Sequence, residues 1–430
     1  RPPVEGVSVS PCTVACPLGL CIQGYAGHIA AGEYRASLEL ITNALPLPET
    51  VCRVCHRPCE DACARGPIDG PVAINDLKRF VVEHEGPGYE PELDETHGGR
   101  VAIVGAGPAG LAAAHDLRLR GWDVSLFDRA DAPGGMLRYG IPKFRLPQQA
   151  LQSDVKRILD LGVEFIGGRG LGENLWLGDL LEEFDRVLIA VGAWRTSALE
   201  LPREGSDAPT SLDALDFLHD SGSAAAGLRV AVIGGGNAGI DAARSAQRAG
   251  ALQVSVIERE AKIPALLHEV DAARLEGVEL LPGLTPTVLV GGDMRGVRCL
   301  VGAGGDDLEH IPADLVVIAV GQEVERELWR DSDPKLVCGP GGTMSVDPIT
   351  CVTSDLRVFA AGDVAPGPRT VTEAVAQGKR AAWGIDKAQR GAPADRRPPP
   401  PPLTGQAWPK TTPPSLPTLR ADQQVTLHPA

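Results

Sequence analysis

Two glycine-rich motifs constrain the fold of this chain more than any other feature. Each follows an apolar segment and has the spacing G-x-G-x-x-G: Gly105-Ala106-Gly107-Pro108-Ala109-Gly110 and Gly234-Gly235-Gly236-Asn237-Ala238-Gly239. Asp128 and Glu258 end the next apolar segment of each copy, near the roughly 20-residue distance of a ribose-binding carboxylate. The alternative is a pair of ordinary glycine-rich turns, but a helix-like segment follows both motifs, as a pyrophosphate site requires. We therefore predict two facing dinucleotides, and hence electron transfer.

The chain from residue 100 onward predicts α/β architecture with an internal duplication. Apolar strand-like segments that end in glycine, 187–192 and 315–321, follow the first and second motif respectively. A further strand-like segment, 358–363, suggests that the chain returns to complete the first fold. The predicted domains are a helical domain at 1–97, one dinucleotide domain at 98–205 and 322–390, a second inserted at 206–321, and a proline-rich extended tail at 391–430.

Cysteines are concentrated near the start of the chain. Seven of the ten lie within the first 63 residues, as Cys12, Cys16, Cys21, Cys52, Cys55, Cys59 and Cys63. Thiolates at the spacings C-x3-C and C-x2-C-x3-C-x3-C can surround one cubane cluster or interleave around two, and soft sulfur ligands select zinc or iron–sulfur. A structural zinc site is the alternative, although the paired arrangement of a zinc ribbon is missing. His56 lies inside this group and is not expected to be a ligand.

The composition argues against several partners. A formal net charge of −15 disfavours nucleic acid or an anionic membrane. No apolar run approaches the roughly 18–20 residues of a membrane span, and no signal segment is recognisable at the start. These features and the reduced thiols predict a cytoplasmic protein.

Together these motifs resemble the glutamate synthase small (beta) subunit family, whose module also forms the N-terminal part of dihydropyrimidine dehydrogenase. The resemblance rests on both glycine motifs, on the cysteine segments 11–17 and 47–63, and on segments 134–142, 191–194 and 362–373. It covers about residues 11–385 in order. It implies a helical N-terminal iron–sulfur domain followed by two nested Rossmann-like folds of the pyridine nucleotide-disulfide reductase type.

The resemblance assigns the first motif to FAD. A fold for NAD alone would not need the Gly134-Gly135 loop or the late Gly362-Asp363 strand end. In the family this aspartate lies at the ribityl chain and pyrophosphate, and the helix start at Thr370-Val371 faces the flavin ring, where its dipole stabilises negative charge. The implied FAD residues are Gly105, Ala106, Gly107, Pro108, Ala109, Gly110, Asp128, Arg129, Gly135, Met136, Leu137, Arg138, Gly192, Gly362, Asp363, Thr370 and Val371.

The second motif is assigned to the nicotinamide nucleotide. NADP-preferring relatives carry tyrosine and arginines where this chain has Glu258-Arg259-Glu260. A carboxylate there binds two ribose hydroxyls and repels a 2′-phosphate, so NADH is favoured over NADPH, although Arg259 could still meet a phosphate. The candidate residues are Gly234, Gly236, Asn237, Ala238, Gly239, Glu258, Arg259, Val320 and Gly321.

The family has two interleaved [4Fe-4S] clusters, and this chain departs from that pattern. An upstream cysteine pair is missing, and Lys78 stands where the family has a Gln or Glu ligand. Cys21 and Cys52 are additional, either as replacement ligands or as buried thiols. We predict one [4Fe-4S] cluster with Cys55 and Cys59 among its ligands, and a second cluster remains an open alternative.

These assignments predict an electron-transfer subunit. A hydride passes from NADH to flavin N5, and single electrons then reach a cluster near Cys55 and Cys59. The expected partners are catalytic or ferredoxin-like iron–sulfur subunits of a larger oxidoreductase, such as a glutamate synthase or a metal-cofactor dehydrogenase. The proline-rich tail is a candidate contact with such a partner.

Two alternative functions remain open. One is a freestanding flavin-dependent NAD(P)H reductase of a small molecule. A reductase that acts on disulfides is disfavoured, because the later cysteines are isolated and form no redox C-x-x-C motif: Cys299, Cys338 and Cys351. The other is a non-catalytic assembly subunit, which two intact glycine motifs disfavour.

Overall fold

The computed structural model describes residues 10–86, 91–302, 307–330, 335–367 and 369–390. The predicted proline-rich tail, 391–430, therefore lies outside the described residues. The helices are α1 (Pro11–Ala15), α2 (Ile22–Ala30), α3 (Tyr34–Ala44), α4 (Pro48–Val54), α5 (Pro58–Asp61), α6 (Gly66–Asp69), α7 (Ile74–Glu85), α8 (Pro108–Leu119), α9 (Met136–Tyr139), α10 (Gln148–Leu159), α11 (Leu177–Glu183), α12 (Ala214–His219), α13 (Asn237–Arg248), α14 (Leu267–Leu275), α15 (Glu327–Arg330) and α16 (Val371–Arg390). Short 3₁₀ turns cover Ser223–Ala225, Gly292–Met294 and Pro340–Gly342.

The strands alternate with the later helices. They are β1 (Arg100–Val104), β2 (Asp123–Phe127), β3 (Glu164–Ile166), β4 (Arg186–Ile189), β5 (Arg195–Thr196), β6 (Arg203–Glu204), β7 (Thr210–Asp213), β8 (Arg229–Ile233), β9 (Gln253–Glu258), β10 (Glu279–Pro282), β11 (Leu284–Val290), β12 (Gly296–Val301), β13 (Leu308–Pro312), β14 (Leu315–Ile318), β15 (Gln322–Glu323) and β16 (Val358–Ala360).

The N-terminal region is helical, with one difference from the sequence pattern. Residues 24–44 alternate apolar and polar residues at helical spacing, which predicts a helix over this segment, but the structure has α2 and α3 with a break between them. Gly32 lies in this break with φ +75°, a left-handed conformation that ends a helix and favours glycine. α3 then turns back on α2 and directs Leu38 and Ile41 into the core.

The first large sheet is parallel, with the order β16-β4-β1-β2-β3. One edge strand of this sheet, β16, comes from residues 358–360, whereas the other strands come from residues 100–189. Helices α8 and α16 pack closely against each other beside this sheet. The first-sheet unit is thus completed only after the chain has passed through the second one.

The second unit repeats this plan. Its parallel sheet has the order β10-β9-β8-β14-β7, and a smaller sheet has the order β13-β12-β11-β6. The short strands β5 and β15 pair in antiparallel fashion where the chain leaves and re-enters the first unit. No described helix is both long enough and apolar enough to span a bilayer.

One continuous buried core joins the N-terminal helices to the first-sheet unit. It contains Val51 of α4 together with Ile103 of β1 and Leu111 of α8. α4 itself contacts α10 and α16. This shared core places the cysteine-bearing segments directly against the helices that surround the first glycine motif.

Candidate dinucleotide and metal sites

The first glycine motif forms a backbone turn that side chains would obstruct. Gly105 has φ +109°, and a Cβ on it would lie 2.3 Å from the carbonyl oxygen of Ala190. A Cβ on Gly110 would lie 1.9 Å from the carbonyl oxygen of Gly105, so α8 can approach β1 only with glycine there. A Cβ on Gly107, by contrast, would meet its nearest neighbour only at 4.0 Å. This open space at the start of α8 fits a pyrophosphate.

The second motif repeats the same geometry. A Cβ on Gly234 would lie 2.4 Å from the carbonyl oxygen of Ala319, and one on Gly239 would lie 1.9 Å from that of Gly234. Among the described residues, a Cβ on Gly236 would meet nothing within 4 Å. The residues present therefore fit two dinucleotides, each at the N-terminus of a helix.

The predicted acids lie beside their own glycine turns. Asp128 accepts hydrogen bonds from the backbone N–H groups of Ala106 (2.6 Å) and Ala130 (2.8 Å). Glu258, 9% exposed, accepts them from Gly235 (2.7 Å) and Glu260 (2.9 Å). Each carboxylate keeps further lone pairs that could accept bonds from ribose hydroxyls.

A large cavity with an empty volume of about 1280 Å³ opens between the two units. Twelve of the residues predicted to bind FAD line this cavity: Gly105, Gly107, Pro108, Ala109, Asp128, Gly135, Met136, Gly192, Gly362, Asp363, Thr370 and Val371. From the nicotinamide prediction, it includes Asn237 and Ala238. The structure thus brings most of the first set, and part of the second, to one cavity.

Other predicted residues lie outside this wall. Arg129 lines two smaller adjoining cavities together with Trp194, and its guanidinium lies 4.9 Å from the centroid of that ring. The Arg138 Nε donates to the Pro133 carbonyl (2.7 Å). In the described part of the chain, the remaining predicted residues that do not line the large cavity are Ala106, Gly110, Leu137, Gly234, Gly236, Gly239, Glu258, Arg259, Val320 and Gly321.

The cavity wall also contains residues that the sequence motifs did not indicate. Arg145 bonds Asp241 (2.6 Å) across the wall and ties the first unit to α13. Val54 and His56, from the cysteine segment, reach the same wall, and His56 Nδ1 is buried with no hydrogen-bond partner in the described structure. Burial lowers the pKa of His56. Only the position of Val54 and His56 beside Cys55 could have suggested their location.

The loop after β16 meets the start of α16 at this cavity. Gly362 donates its N–H to Gln377 Oε1 (2.8 Å), which fixes the strand end against the helix. Burial raises the pKa of Asp363, and Arg369 partly offsets that effect. Thr370 and Val371 place the N-terminus of the 20-residue α16 at the wall, where its dipole favours negative charge.

A smaller cavity, with an empty volume of about 340 Å³, lies among the N-terminal helices. Cys16, Cys55 and Cys59 line it together with the buried Lys78. Asn75 Oδ1 and Thr372 Oγ1 belong to residues that line the same cavity, and both atoms are buried without a hydrogen-bond partner in the described structure. Such orphaned polar atoms beside three thiols fit a sulfur-ligated group.

The other predicted cysteines do not line this cavity, as far as the described residues show. Cys12 is half-buried on α1 and its thiol contacts Ser10 Oγ (3.2 Å), and Cys63 is half-buried after α5. Cys21 is exposed. Cys52 is buried in α4, near Cys55 and Lys78.

Burial, together with repulsion from Cys55 and Cys16, raises the pKa of Cys59 to about 12. Burial likewise raises the pKa of Cys16, and that of Cys52 to about 12. A metal would reverse this tendency, because coordinated thiols are deprotonated. The described residues contain no group of three or more His, Cys, Asp or Glu side chains that could hold a single metal ion. In a cubane, by contrast, each iron takes its own thiolate, so the thiols need not converge on one point.

The two cavities share a partition. Along one segment, Val54 and His56 line the large cavity while Cys55, between them, lines the small one. At the start of α16, Val371 lines the large cavity and the next residue, Thr372, lines the small one. One layer of residues therefore separates the dinucleotide cavity from the cysteine cavity.

Comparisons with known proteins match the two parts of the chain that contain these cavities. Residues 99–378 match the family model described as pyridine nucleotide-disulphide oxidoreductase, and residues 7–87 match the one described as dihydropyrimidine dehydrogenase domain II, 4Fe-4S cluster. The chain is 37% identical to the NADP(+)-dependent formate dehydrogenase subunit beta of Moorella thermoacetica, across 89% of this chain and 60% of that protein. It is 33% identical to the NAD-dependent dihydropyrimidine dehydrogenase subunit PreT of Escherichia coli K12, across 89% and 92%. The chain thus spans only part of the first relative.

Solved structures show the same fold. The thioredoxin reductase of T. acidophilum aligns with a TM-score of 0.54 and 24% identity, across 67% of this chain and 97% of that one. Histamine dehydrogenase from Rhizobium sp. 4-9 aligns with a TM-score of 0.55 and 20% identity, across 89% and 56%. With the family models, these likenesses confirm the predicted α/β fold class and its N-terminal iron–sulfur domain.

Proposed function

This chain belongs to the pyridine nucleotide-disulphide oxidoreductase family, as its motifs predicted, and we propose that it is the electron-transfer subunit of a larger oxidoreductase, with FAD, a nicotinamide nucleotide and at least one [4Fe-4S] cluster. FAD in the large cavity would accept a hydride and release single electrons. The relatives' names support this role, since they describe beta or PreT subunits of formate, dihydropyrimidine and NADPH-Fe(3+) oxidoreductases.

The shared partition between the cavities is the observation that carries the proposal. Cys55 faces one cavity while its neighbours Val54 and His56 face the other, so a flavin and a cluster would be separated by a single layer of side chains. Val54 and Val371 are the apolar residues that this layer presents to the large cavity. Asp128, Gly107 and the α8 N-terminus would orient the flavin nucleotide, and Cys16, Cys55 and Cys59 would hold the cluster.

We further propose that the nucleotide is NADH. The buried Glu258 carboxylate lies beside the second glycine turn, where it would repel a 2′-phosphate. The only cation of the adjoining Glu258-Arg259-Glu260 segment, Arg259, has a side chain that is 74% exposed and pairs with Glu260 (3.3 Å). One relative is named for NADP and another for NAD, so the names do not favour either nucleotide. The proposal therefore rests on the residues of this chain.

The partner would be a catalytic or ferredoxin-like iron–sulfur subunit. Both dinucleotide units and the cysteine module are accounted for, and the described residues include no additional domain for an organic substrate. We also propose a cytoplasmic location, because thiols that hold a cluster need a reducing compartment.

Anaerobic titration of the full chain tests the proposal. We expect bound FAD, iron and acid-labile sulfide, and NADH should bleach the flavin absorbance and then the cluster absorbance. A protein that binds no flavin, or whose flavin is not bleached by either nucleotide, would overturn it. Rapid turnover of a small substrate by the isolated chain would instead favour a freestanding reductase.

Nucleotide choice needs its own variant. Glu258→Gln keeps the shape of the side chain but removes the charge that would repel a 2′-phosphate. We expect the ratio of NADH to NADPH affinity to fall by about tenfold, which corresponds to about 1.4 kcal/mol. Glu279→Gln, on the neighbouring strand β10, is the matched control and should leave the ratio unchanged. An unchanged ratio in Glu258→Gln would refute the assignment of this carboxylate.

A further inference from the structure

Lys78 is a buried charge that the dinucleotide sites do not explain. Its side chain projects from α7, is 4% exposed, and lines the cysteine cavity. Within the described residues, no carboxylate lies at salt-bridge distance from its ammonium. Its strongest electrostatic neighbours are instead the thiols of Cys52, Cys55, Cys16 and Cys59. A lysine is almost never fully buried without an anionic partner, so the anion must be sought in the cavity.

A second donor in the same wall also lacks an acceptor. The hydroxyl of Thr372 is buried and makes no hydrogen bond in the described part of the chain. It lines the cavity with Lys78 and with Cys16, Cys55 and Cys59. A buried ammonium without a carboxylate partner and an unpaired hydroxyl, both beside three thiols, indicate a ligand that is rich in acceptors and negatively charged. A thiolate-ligated iron–sulfur cluster, with its bridging sulfides, has that chemistry.

We propose that Lys78 is the counter-charge of an iron–sulfur site whose thiolates would include those of Cys16, Cys55 and Cys59, and that its ammonium would donate hydrogen bonds to the cluster without binding iron. This inference rests on the proposed function and adds to it the composition of one site. Cys52 is buried close by but, unlike the other three, does not line the cavity, which argues against its being the missing fourth thiolate.

The charge has a consequence for electron flow. Adding one electron to the site makes it one unit more negative, and a buried cation stabilises that state at close range in a medium of low polarity. Cluster potentials respond to net charge and to hydrogen bonds at sulfur. Lys78 therefore raises the reduction potential of this site relative to an uncharged side chain, which makes it an acceptor for electrons from the flavin side of the partition.

The test is an anaerobic redox titration of the full-length holoprotein, in which the reduced cluster is followed by electron paramagnetic resonance. Lys78→Met removes the charge and Lys78→Arg keeps it. Lys156→Met is the matched control, because Lys156 is 75% exposed and pairs with Asp160 on the protein surface. We expect the midpoint potential of one cluster signal to shift to more negative values in Lys78→Met, and to stay near that of the wild type in the other two.

The outcomes are distinguishable. A Lys78→Met protein with unchanged iron content and unchanged midpoint would overturn the inference. Loss of the cluster from Lys78→Met but not from Lys78→Arg would support the inference, because arginine keeps the positive charge and methionine does not. Loss of the cluster from both variants would show that the shape of lysine matters, and would count against the inference. Absence of iron and sulfide from the wild-type protein would refute the proposed function itself.

Discussion

Asp154 provides the sharpest test of how the cysteine module is held in place. This residue of α10 is 1% exposed and accepts the backbone N–H groups of Thr50 (2.7 Å) and Glu49 (3.4 Å), in the first turn of α4. Burial raises its pKa to about 6, while Arg157 and the Thr50 N–H partly offset this. An unfolded or detached aspartate has a pKa of about 3.9.

The sign of the pH effect follows from that raised pKa. When α4 is docked on α10, Asp154 holds its proton more tightly than when α4 has moved away. Protonation of Asp154 therefore stabilises docking in full below about pH 4. This contribution is lost as the pH rises through about 6. Between pH 5 and pH 7 the loss is about 1.3 kcal/mol, or roughly tenfold in an equilibrium constant. Asp154→Asn has no such proton, so its docking free energy should lack this slope.

Amide hydrogen exchange of the α4 peptides in the intact holoprotein measures this effect. We expect the ratio of wild-type to Asp154→Asn protection to fall roughly tenfold from pH 5 to pH 7. Asp160→Asn, exposed at the end of the same helix, is the control and should show a constant ratio. A constant ratio for Asp154→Asn as well would refute the reasoning.

Three further outcomes are expected. Gly239→Ala places a Cβ 1.9 Å from the carbonyl oxygen of Gly234. It should weaken nicotinamide nucleotide binding about 10- to 100-fold in a titration and leave FAD content intact. An equal loss of FAD would contradict two separate sites. Lys379→Met removes the 2.8 Å partner of the buried Asp116 carboxylate, which keeps Arg120 at 3.4 Å and His115 at 3.0 Å. It should cost about 1–3 kcal/mol, visible as a lower thermal midpoint with unchanged cofactor content. Arg145→Met removes the cation that joins Asp241 and Glu269 of the second unit to the first unit. Asp241 is then left buried without its ion-pair partner, whereas Glu269 keeps Arg244. We expect a cost of about 3–5 kcal/mol and earlier cleavage of the second unit in limited proteolysis; uniform cleavage would argue against that link.

The fold class and the family could be predicted from sequence because they depend on local patterns. The glycine turns, the strands before them and the acids after them are close together in the chain, and the structure explains why glycine is needed at positions 105 and 110. The break at Gly32 was missed because helical periodicity continues on both sides of it.

The cavity walls could not be predicted in the same way, because they depend on contacts between distant segments. His56 reaches the large cavity only because α4 docks on α10 and α16. Lys78 and Thr372 are 294 residues apart in the numbering yet line one cavity. No periodicity or spacing connects such residues, and only the packed core brings them together.

The twin backbone turns have a consequence for how such proteins can diversify. The first and third glycines of each turn face backbone atoms that leave no room for a side chain, so a substitution there distorts the turn. Arg259 and Glu260, by contrast, have side chains that are 74% and 65% exposed at the rim of the second turn. Substitutions at the rim cost little folding free energy. The rim beside the second turn can therefore vary while the glycines hold the turn itself.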